Sequence, residues 1–269
     1  MRGSSRSAAA AGDAAYREVV GSVDAATLAD ELFAAGATIE GNATLRRALT
    51  DPSREPEAKD GLARRLFGGK VSDQATHVLA VLAAGRWSQE RDLTDSIEAL
   101  GVNALAESAD RAGRLGDVED QLFRFERLVA GTPALRDALT NRQTDPAGKA
   151  DLVGRLLDGK AAPETVRLAR QAVGKRSDKR LDAIFEGFLK QIAERRGQLT
   201  ALVTSATALS APERVRLSEA LTRLYDRPIQ IQSVLDPAVV GGLRVQVGDE
   251  VIDGTVATKI EGARRHFGG

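Results

Sequence analysis

Residues 45–70 read LRRALTDPSREPEAKDGLARRLFGGK, and ninety positions later residues 135–160 read LRDALTNRQTDPAGKADLVGRLLDGK. Leu45, Arg46, Ala48, Leu49 and Thr50 return as Leu135, Arg136, Ala138, Leu139 and Thr140. Pro56, Lys59, Leu62, Arg65, Leu66, Gly69 and Lys70 return as Pro146, Lys149, Leu152, Arg155, Leu156, Gly159 and Lys160, with no gap between the copies. The same register pairs Asp30, Leu32 and Phe33 with Asp120, Leu122 and Phe123. So many matches in one register mark an internal repeat, a module duplicated over roughly 25–110 and 115–200.

Each copy reads as helices. Val118, Leu122, Phe125 and Val129 recur with the 3.6-residue period of one helix face, and Leu28, Leu32, Ala35 and Ile39 hold the equivalent places. Leu45 and Leu49 mark a short helix. Asp51-Pro52 and Asp145-Pro146 interrupt the pattern, since proline suits a first helical turn and not an interior. Gly68-Gly69 and Asp158-Gly159 then end the helix that comes next, glycine entering the left-handed region at little cost.

Composition bounds what such a chain does. Lys+Arg and Asp+Glu number 38 each, so the 269 residues carry no net charge, against a chain built to coat nucleic acid. There is no cysteine, which removes disulfides, zinc-thiolate sites and thiol nucleophiles. The longest clearly apolar run, Val78 to Ala84, is far short of the ~20 residues that a bilayer requires, so membrane association is expected through a partner. The small, polar start of the chain predicts a flexible tail over 1–12.

The motifs that suggest chemistry are incomplete. Gly69-Lys70 and Gly159-Lys160 evoke a phosphate loop, which needs Gly, four residues, then Gly-Lys-Ser/Thr. Arg64 stands at the first glycine position of one copy, and Val71 and Ala161 replace the hydroxyl in both. A helix C-cap is the better reading. His77 and His266 lack metal-ligand spacing and read as helix residues. Acidic residues are interleaved with cations, as in Asp178-Lys179-Arg180-Leu181-Asp182, the pattern of a solvated face. Trp87 is either core or an exposed partner anchor, and core is favoured.

Beyond residue 198 the pattern changes. Leu199 to Ser205 is rich in strand formers, and Ser210 with Glu213 forms a capping box ahead of a helix lined by Leu217, Leu221 and Leu224. Ile229 and Ile231 alternate with glutamines. Leu243, Val245 and Val247 alternate with Arg244 and Gln246, Gly248-Asp249 makes a turn, and Val251-Ile252 returns as a hairpin arm. A last helix from about Asp253 carries Val256, Ile260, Ala263 and Phe267 on one face, opposite Lys259, Glu261, Arg264 and Arg265. The fold expected is mainly α: a flexible tail over 1–12, duplicated N-terminal helical bundle modules over 13–112 and 113–198, and a small α+β C-terminal domain over 199–269.

The stretch DPAVVGGLRVQVGDEVIDGTV at 236–256 resembles the C-terminal signature of ATP synthase delta subunits, whose mitochondrial relative is the oligomycin sensitivity conferral protein. An apolar pair, Gly241-Gly242, an alternating strand, Gly248-Asp249, a second apolar pair and Asp253-Gly254 with a threonine after it all keep that order. Leu135 to Leu139 is similar to the family's helical-bundle segment. Ordinary members have one such module; duplicated ones are typical of actinobacteria, which suits the Ala/Arg/Gly-rich composition.

The resemblance implies a non-catalytic stator subunit of the proton-translocating synthase, with no cofactor and no metal. It links the N-terminal helices of the alpha subunits to the peripheral-stalk b subunit, one copy per complex, at the cytoplasmic face of the membrane without inserting. Gly241, Gly242, Gly248, Asp249, Asp253 and Gly254 are then structural residues, and Val256, Ile260 and Phe267 are candidates to face a partner. The alternative is a free-standing helical-repeat adaptor or regulator.

Overall fold

The computed structural model describes residues 3–141, 143–175, 179–196, 199–225, 229–237, 239, 241–247 and 250–253. They form two compact units that divide between Ala193 and Glu194.

In the helical unit, α1 (Gly3–Val20) precedes a first copy made of α2 (Ala25–Gly41), α3 (Ala43–Thr50), α4 (Pro56–Phe67), α5 (Asp73–Ala84) and α6 (Glu90–Arg111). The second copy holds α7 (Leu115–Gly131), α8 (Pro133–Thr140), α9 (Pro146–Leu157), α10 (Pro163–Gly174) and α11 (Leu181–Arg196). Adding 90 to the bounds of α2, α3, α4 and α5 gives 115–131, 133–140, 146–157 and 163–174, the bounds of α7 to α10. Adding it to α6 gives 180–201, against 181–196 for α11.

Local chemistry fixes these ends. Asp24 caps α2 by accepting the Thr27 N–H at 2.8 Å, and Asn42 caps α3 through the Leu45 N–H at 3.0 Å. Pro56 and Pro146 stand in the first turns of α4 and α9, where the missing N–H costs nothing. Gly69 and Gly159 leave those helices with φ of 72° and 65°. The next N–H groups, of Lys70 and Lys160, reach back to the carbonyls of Phe67 and Leu157 at 2.9 and 3.0 Å. Above each loop one side chain accepts twice. Glu31 takes the Ser72 N–H and hydroxyl, and Gln121, ninety residues on, takes the Ala162 N–H and the Thr165 hydroxyl.

The expected tail is a correction. Residues 3–20 are helical, and Ser5, Ala8, Gly12, Ala15 and Tyr16 are buried along one face. Alanine is the best helix former and its small side chain admits close packing, so an Ala-rich run that looks featureless makes a helix that beds tightly on its neighbours. A Cβ on Gly12 would lie 2.1 Å from Leu82 Cδ2, and one on Gly85 would lie 2.6 Å from the Ala8 Cβ. The helix therefore runs antiparallel along α5.

Its counterpart at the 90-residue offset, 93–110, falls inside α6. That helix runs antiparallel along α10, with Ser108 bonded to Glu164 at one end and Glu98 bonded to Lys175 at the other. The pair Ala8 and Gly85 corresponds to Glu98 and Lys175. So α6 is both the last helix of the first copy and the first helix of the second. The expected division at 112/113 falls in the turn between α6 and α7, and one continuous buried cluster runs from Ala8 to Ile192 through both copies.

In the second unit, β1 (Leu199–Ser205), α12 (Ala211–Tyr225), β2 (Ile229–Leu235), β3 (Leu243–Val247) and β4 (Glu250–Asp253) form a sheet of order β2-β1-β3-β4 covered by α12. β1 and β2 are parallel, with Leu199 opposite Ile229, which requires the crossover that α12 provides. β3 pairs antiparallel with β1, Val245 opposite Val203, and β4 closes on β3 with Ile252 opposite Val245. Ala201, Val203, Leu221, Ile229, Val245 and Val247 form the core. In the capping box, Glu213 accepts both the Ser210 N–H at 2.9 Å and the Ser210 hydroxyl at 2.6 Å. The chain is thus mainly α with a small α+β part at its C-terminal end.

Candidate interaction surfaces

The Gly-Lys pairs lie at helix exits, with Lys70 and Lys160 exposed and the amides turned back to their own helices, so neither loop cradles a phosphate. Among the described residues, no three His, Cys, Asp or Glu side chains converge as metal ligands. His77 lies 3.6 Å from Glu18 on α1. Trp87 is core: it is 7% exposed, and its indole N–H donates to the Leu82 carbonyl at 2.9 Å.

Of the signature residues, Gly241 and Gly242 take φ of 61° and 90° directly before β3, a left-handed entry that a side chain would strain. Asp253 ends β4 opposite Arg244. Gly248, Asp249, Gly254, Val256, Ile260 and Phe267 lie outside the described residues, as does the expected final helix.

The structure adds apolar side chains that the sequence pattern does not mark as surface. In the second unit Val215 is 56%, Leu224 64% and Val251 54% exposed. The pattern puts Leu224 beside Leu217 and Leu221 on the inner face. Near the end of α12 it is Tyr225 that turns inward, and its hydroxyl donates to Glu250 at 2.8 Å. In the helical unit Phe123 and Leu128 are exposed on α7, whereas Phe33, the counterpart of Phe123, packs against Gly101.

Ion pairs join the two copies along α6. Glu164, in the first turn of α10, accepts from Ser108 at 2.9 Å and from the Arg114 guanidinium at 2.7 Å. Burial alone would raise its carboxyl, but these bonds outweigh burial and hold it below the usual range. Lys175 donates to Glu98 at 2.9 Å and to Asp95 at 3.3 Å, and Lys179 reaches Asp95 at 3.1 Å. Burial acts against the Lys175 charge, yet Glu98 and Asp95 raise its pKa. Burial would likewise raise Asp95, and the two lysines lower it. Glu40, half-buried nearby, is shifted upward, chiefly by its burial.

A helical unit built twice is joined in sequence to a small sheet unit, and both carry exposed apolar side chains. The family model for the ATP synthase delta (OSCP) subunit matches residues 102–267. That match starts within α6, where the second copy begins structurally. Proteins called ATP synthase subunit delta are similar over most of the length. The one from Kineococcus radiotolerans is 46% identical over 246 residues, 91% of this chain and 89% of its own. The one from Streptomyces avermitilis is 47% identical over 246 residues, 91% of this chain and 90% of its own. That of Nocardia farcinica is 41% identical over 269 residues, 99% of this chain and its whole length, so the first copy is common to both. The chain belongs to the ATP synthase delta (OSCP) subunit family.

Proposed function

We propose that this chain is the stator connector of an F-type ATP synthase. The helical unit grips N-terminal helices of the alpha subunits. The C-terminal unit holds the peripheral-stalk b subunit, and one copy serves each complex at the cytoplasmic face of the membrane. The observation that carries the reading is the family match, which spans the second helical copy and the sheet unit together. The physics is consistent with it. Holding a head against a turning rotor requires binding at two ends and stiffness between, and close-packed helices supply stiffness. Among the described residues no helix is long and apolar enough to cross a membrane, in keeping with attachment through a partner.

The division of labour is tested by truncation before Asp236. This removes β3 and β4, with Val245 and Val247 of the second core, and leaves both helical copies whole. The truncated chain is expected to lose the b subunit in pull-downs while retaining alpha-subunit N-terminal peptides. Retention of b with release of the alpha peptides would mean that the two ends are reversed. Val256, Ile260 and Phe267 are the proposed partner-facing stripe. Ile260→Asp is expected to weaken b binding by about 2–7 kcal/mol if the site is desolvated on binding. As a connector the subunit is non-catalytic: calorimetric titration with MgATP should give no micromolar binding, and a signal lost on Lys160→Ala would overturn that reading.

A further inference from the structure

A cleft of about 720 Å³ opens in the second copy, among the ends of α7, α8 and α10 and the starts of α9 and α11. It lies within the range of small-ligand sites, about 300–1,000 Å³. Val129, Leu139, Val173 and Phe185 make an apolar floor and are themselves nearly buried. Arg136, Lys149, Lys175, Lys179 and Arg180 line it, against Glu126 and Asp182.

The first copy explains why these cations matter. There Arg46, the counterpart of Arg136, pairs with Glu90 at 3.1 Å and donates to the Glu40 carbonyl at 2.9 Å. Lys59, the counterpart of Lys149, is 1% exposed and donates to the Gly85 carbonyl at 2.6 Å. In the second copy Arg180 stands at the position of Glu90, so the side-chain acceptor of Arg46 is replaced by a cation, and Lys175 and Lys179 stand at the positions of Gly85 and Gln89. Arg136, Lys149 and Arg180 therefore stand where the first copy has Arg46, Lys59 and the carboxylate of Glu90.

Asp95 and Glu98 hold Lys175 and Lys179, and Asp182 holds Arg180. Arg136 has Asp137 at 3.9 Å, an exposed contact of little strength. Lys149 has no acceptor among the described residues. The carboxylate that Glu90 sets beside Arg46 is replaced at the offset position by Arg180, beside an open apolar cleft.

We propose that this cleft binds an amphipathic monoanion, a carboxylate on an apolar chain, with the head between Arg136, Lys149 and Arg180 and the chain on Val129, Leu139, Val173 and Phe185. Charged hydrogen bonds hold the head, and burial of the chain supplies the rest.

Calorimetric titration of the full chain tests this with sodium decanoate, sodium acetate and decanol. Decanoate should bind at a single saturable site, and acetate and decanol, each lacking one half of the ligand, should bind at least about tenfold more weakly. Arg136→Ala with Lys149→Ala should weaken decanoate about tenfold or more. Arg180→Glu restores the carboxylate of the first copy and should abolish binding, with an unchanged far-UV spectrum since the side chain is 85% exposed. No decanoate binding by the wild type, or binding that Arg180→Glu leaves unaltered, overturns the proposal. Decanol binding as tightly as decanoate would overturn the role given to the cations.

Discussion

The two helical copies have the same helix bounds and different interiors. In the first, α2 and α6 meet through small residues. A Cβ on Gly101 would sit 2.4 Å from the Phe33 ring, and one on Gly36 would sit 3.3 Å from Ile97. In the second, those glycines are replaced by Gln191 and Glu126, and α7 meets α11 through an edge-to-face contact of Phe125 with Phe185 at 5.7 Å. Helices spaced by aromatic rings cannot approach as helices spaced by glycine do. The buried Oε1 of Gln191 finds no hydrogen-bond partner among the described residues. One copy thus packs closely and pairs Arg46 with its own Glu90, and the other keeps a cleft lined by Arg136, Lys149 and Arg180. A duplicated frame tolerates such divergence because the backbone caps and turns, not the core volumes, set the helix limits.

Four experiments break or sharpen this comparison. The largest effect is expected from deleting residues 1–20. If α1 stands to the first copy as α6 stands to the second, its loss strips cover from Leu79 and Leu82 and costs about 4 kcal/mol or more in urea unfolding. An unchanged midpoint would make α1 an ornament and dissolve the equivalence.

Next is Lys175→Ala, which leaves Asp95 and Glu98 without their shared cation and is expected to cost about 3 kcal/mol. The pH dependence has a definite sign. Lys175 has a raised folded-state pKa, so its contribution is complete below the unfolded value near 10.4 and lost as pH rises through the raised one. Asp95 has a lowered pKa, so its contribution is complete above about 3.9 and lost as pH falls through the lowered one. The gap between wild type and variant should be flat from about pH 5 to 10 and shrink beyond each end. A gap that grows in acid would contradict the assignment.

Gly12→Val comes third, at about 1–3 kcal/mol, because the new side chain collides with Leu82. The second copy has Val102 and Ala172 at the corresponding places, the large and small residues exchanged. Gly12→Val with Leu82→Ala should therefore recover much of the loss in thermal melts, and absence of rescue would mean that the two helix pairs pack in different registers. The smallest effect is that of Gly69→Ala and Gly159→Ala, each costing about 1–2 kcal/mol for a left-handed residue with a Cβ. Because the two loops share one geometry, the two losses should agree within a few tenths, and a clear difference would show that one loop relaxes.

The sequence displays the repeat because caps, prolines and glycine exits are short-range features that survive as letters. Leu45 and Leu135 both pack partly buried against the core, as expected, and Leu66 and Leu156 are both half-buried. The helix α1 is hidden in the sequence because its kinship to α6 is geometric. Ala8 and Gly12 face Glu98 and Val102 across the offset, so no run of identities links them, although the Ser5, Ala8, Gly12 and Ala15 spacing is a helical stripe in small residues. The turn at 112–114 separates α6 from α7, but a helix can pack in two modules while a string of letters assigns it to one.

In the second unit β3 keeps the expected alternation, with Val245 and Val247 buried and Arg244 and Gln246 exposed, whereas Leu224 obeys the helical period and still faces solvent. The cleft is legible in part. The exchange of Glu90 for Arg180 can be read at the offset, but its meaning depends on knowing that Arg46 and Glu90 touch.

Because α6 serves both copies, the two cannot move apart as separate bodies. Two modules joined by a loop behave as beads on a thread: each can melt, swivel or be pulled open while its neighbour stays whole. Here the joint is the 22-residue body of a helix, about 33 Å long, with each copy packed on its flank. A twist applied to one copy reaches the other along a continuous ladder of backbone hydrogen bonds, and the first copy cannot unravel without withdrawing a wall from the second. The molecule is spliced in the carpenter's sense, two timbers overlapped along their grain, and the joint is as stiff as the wood.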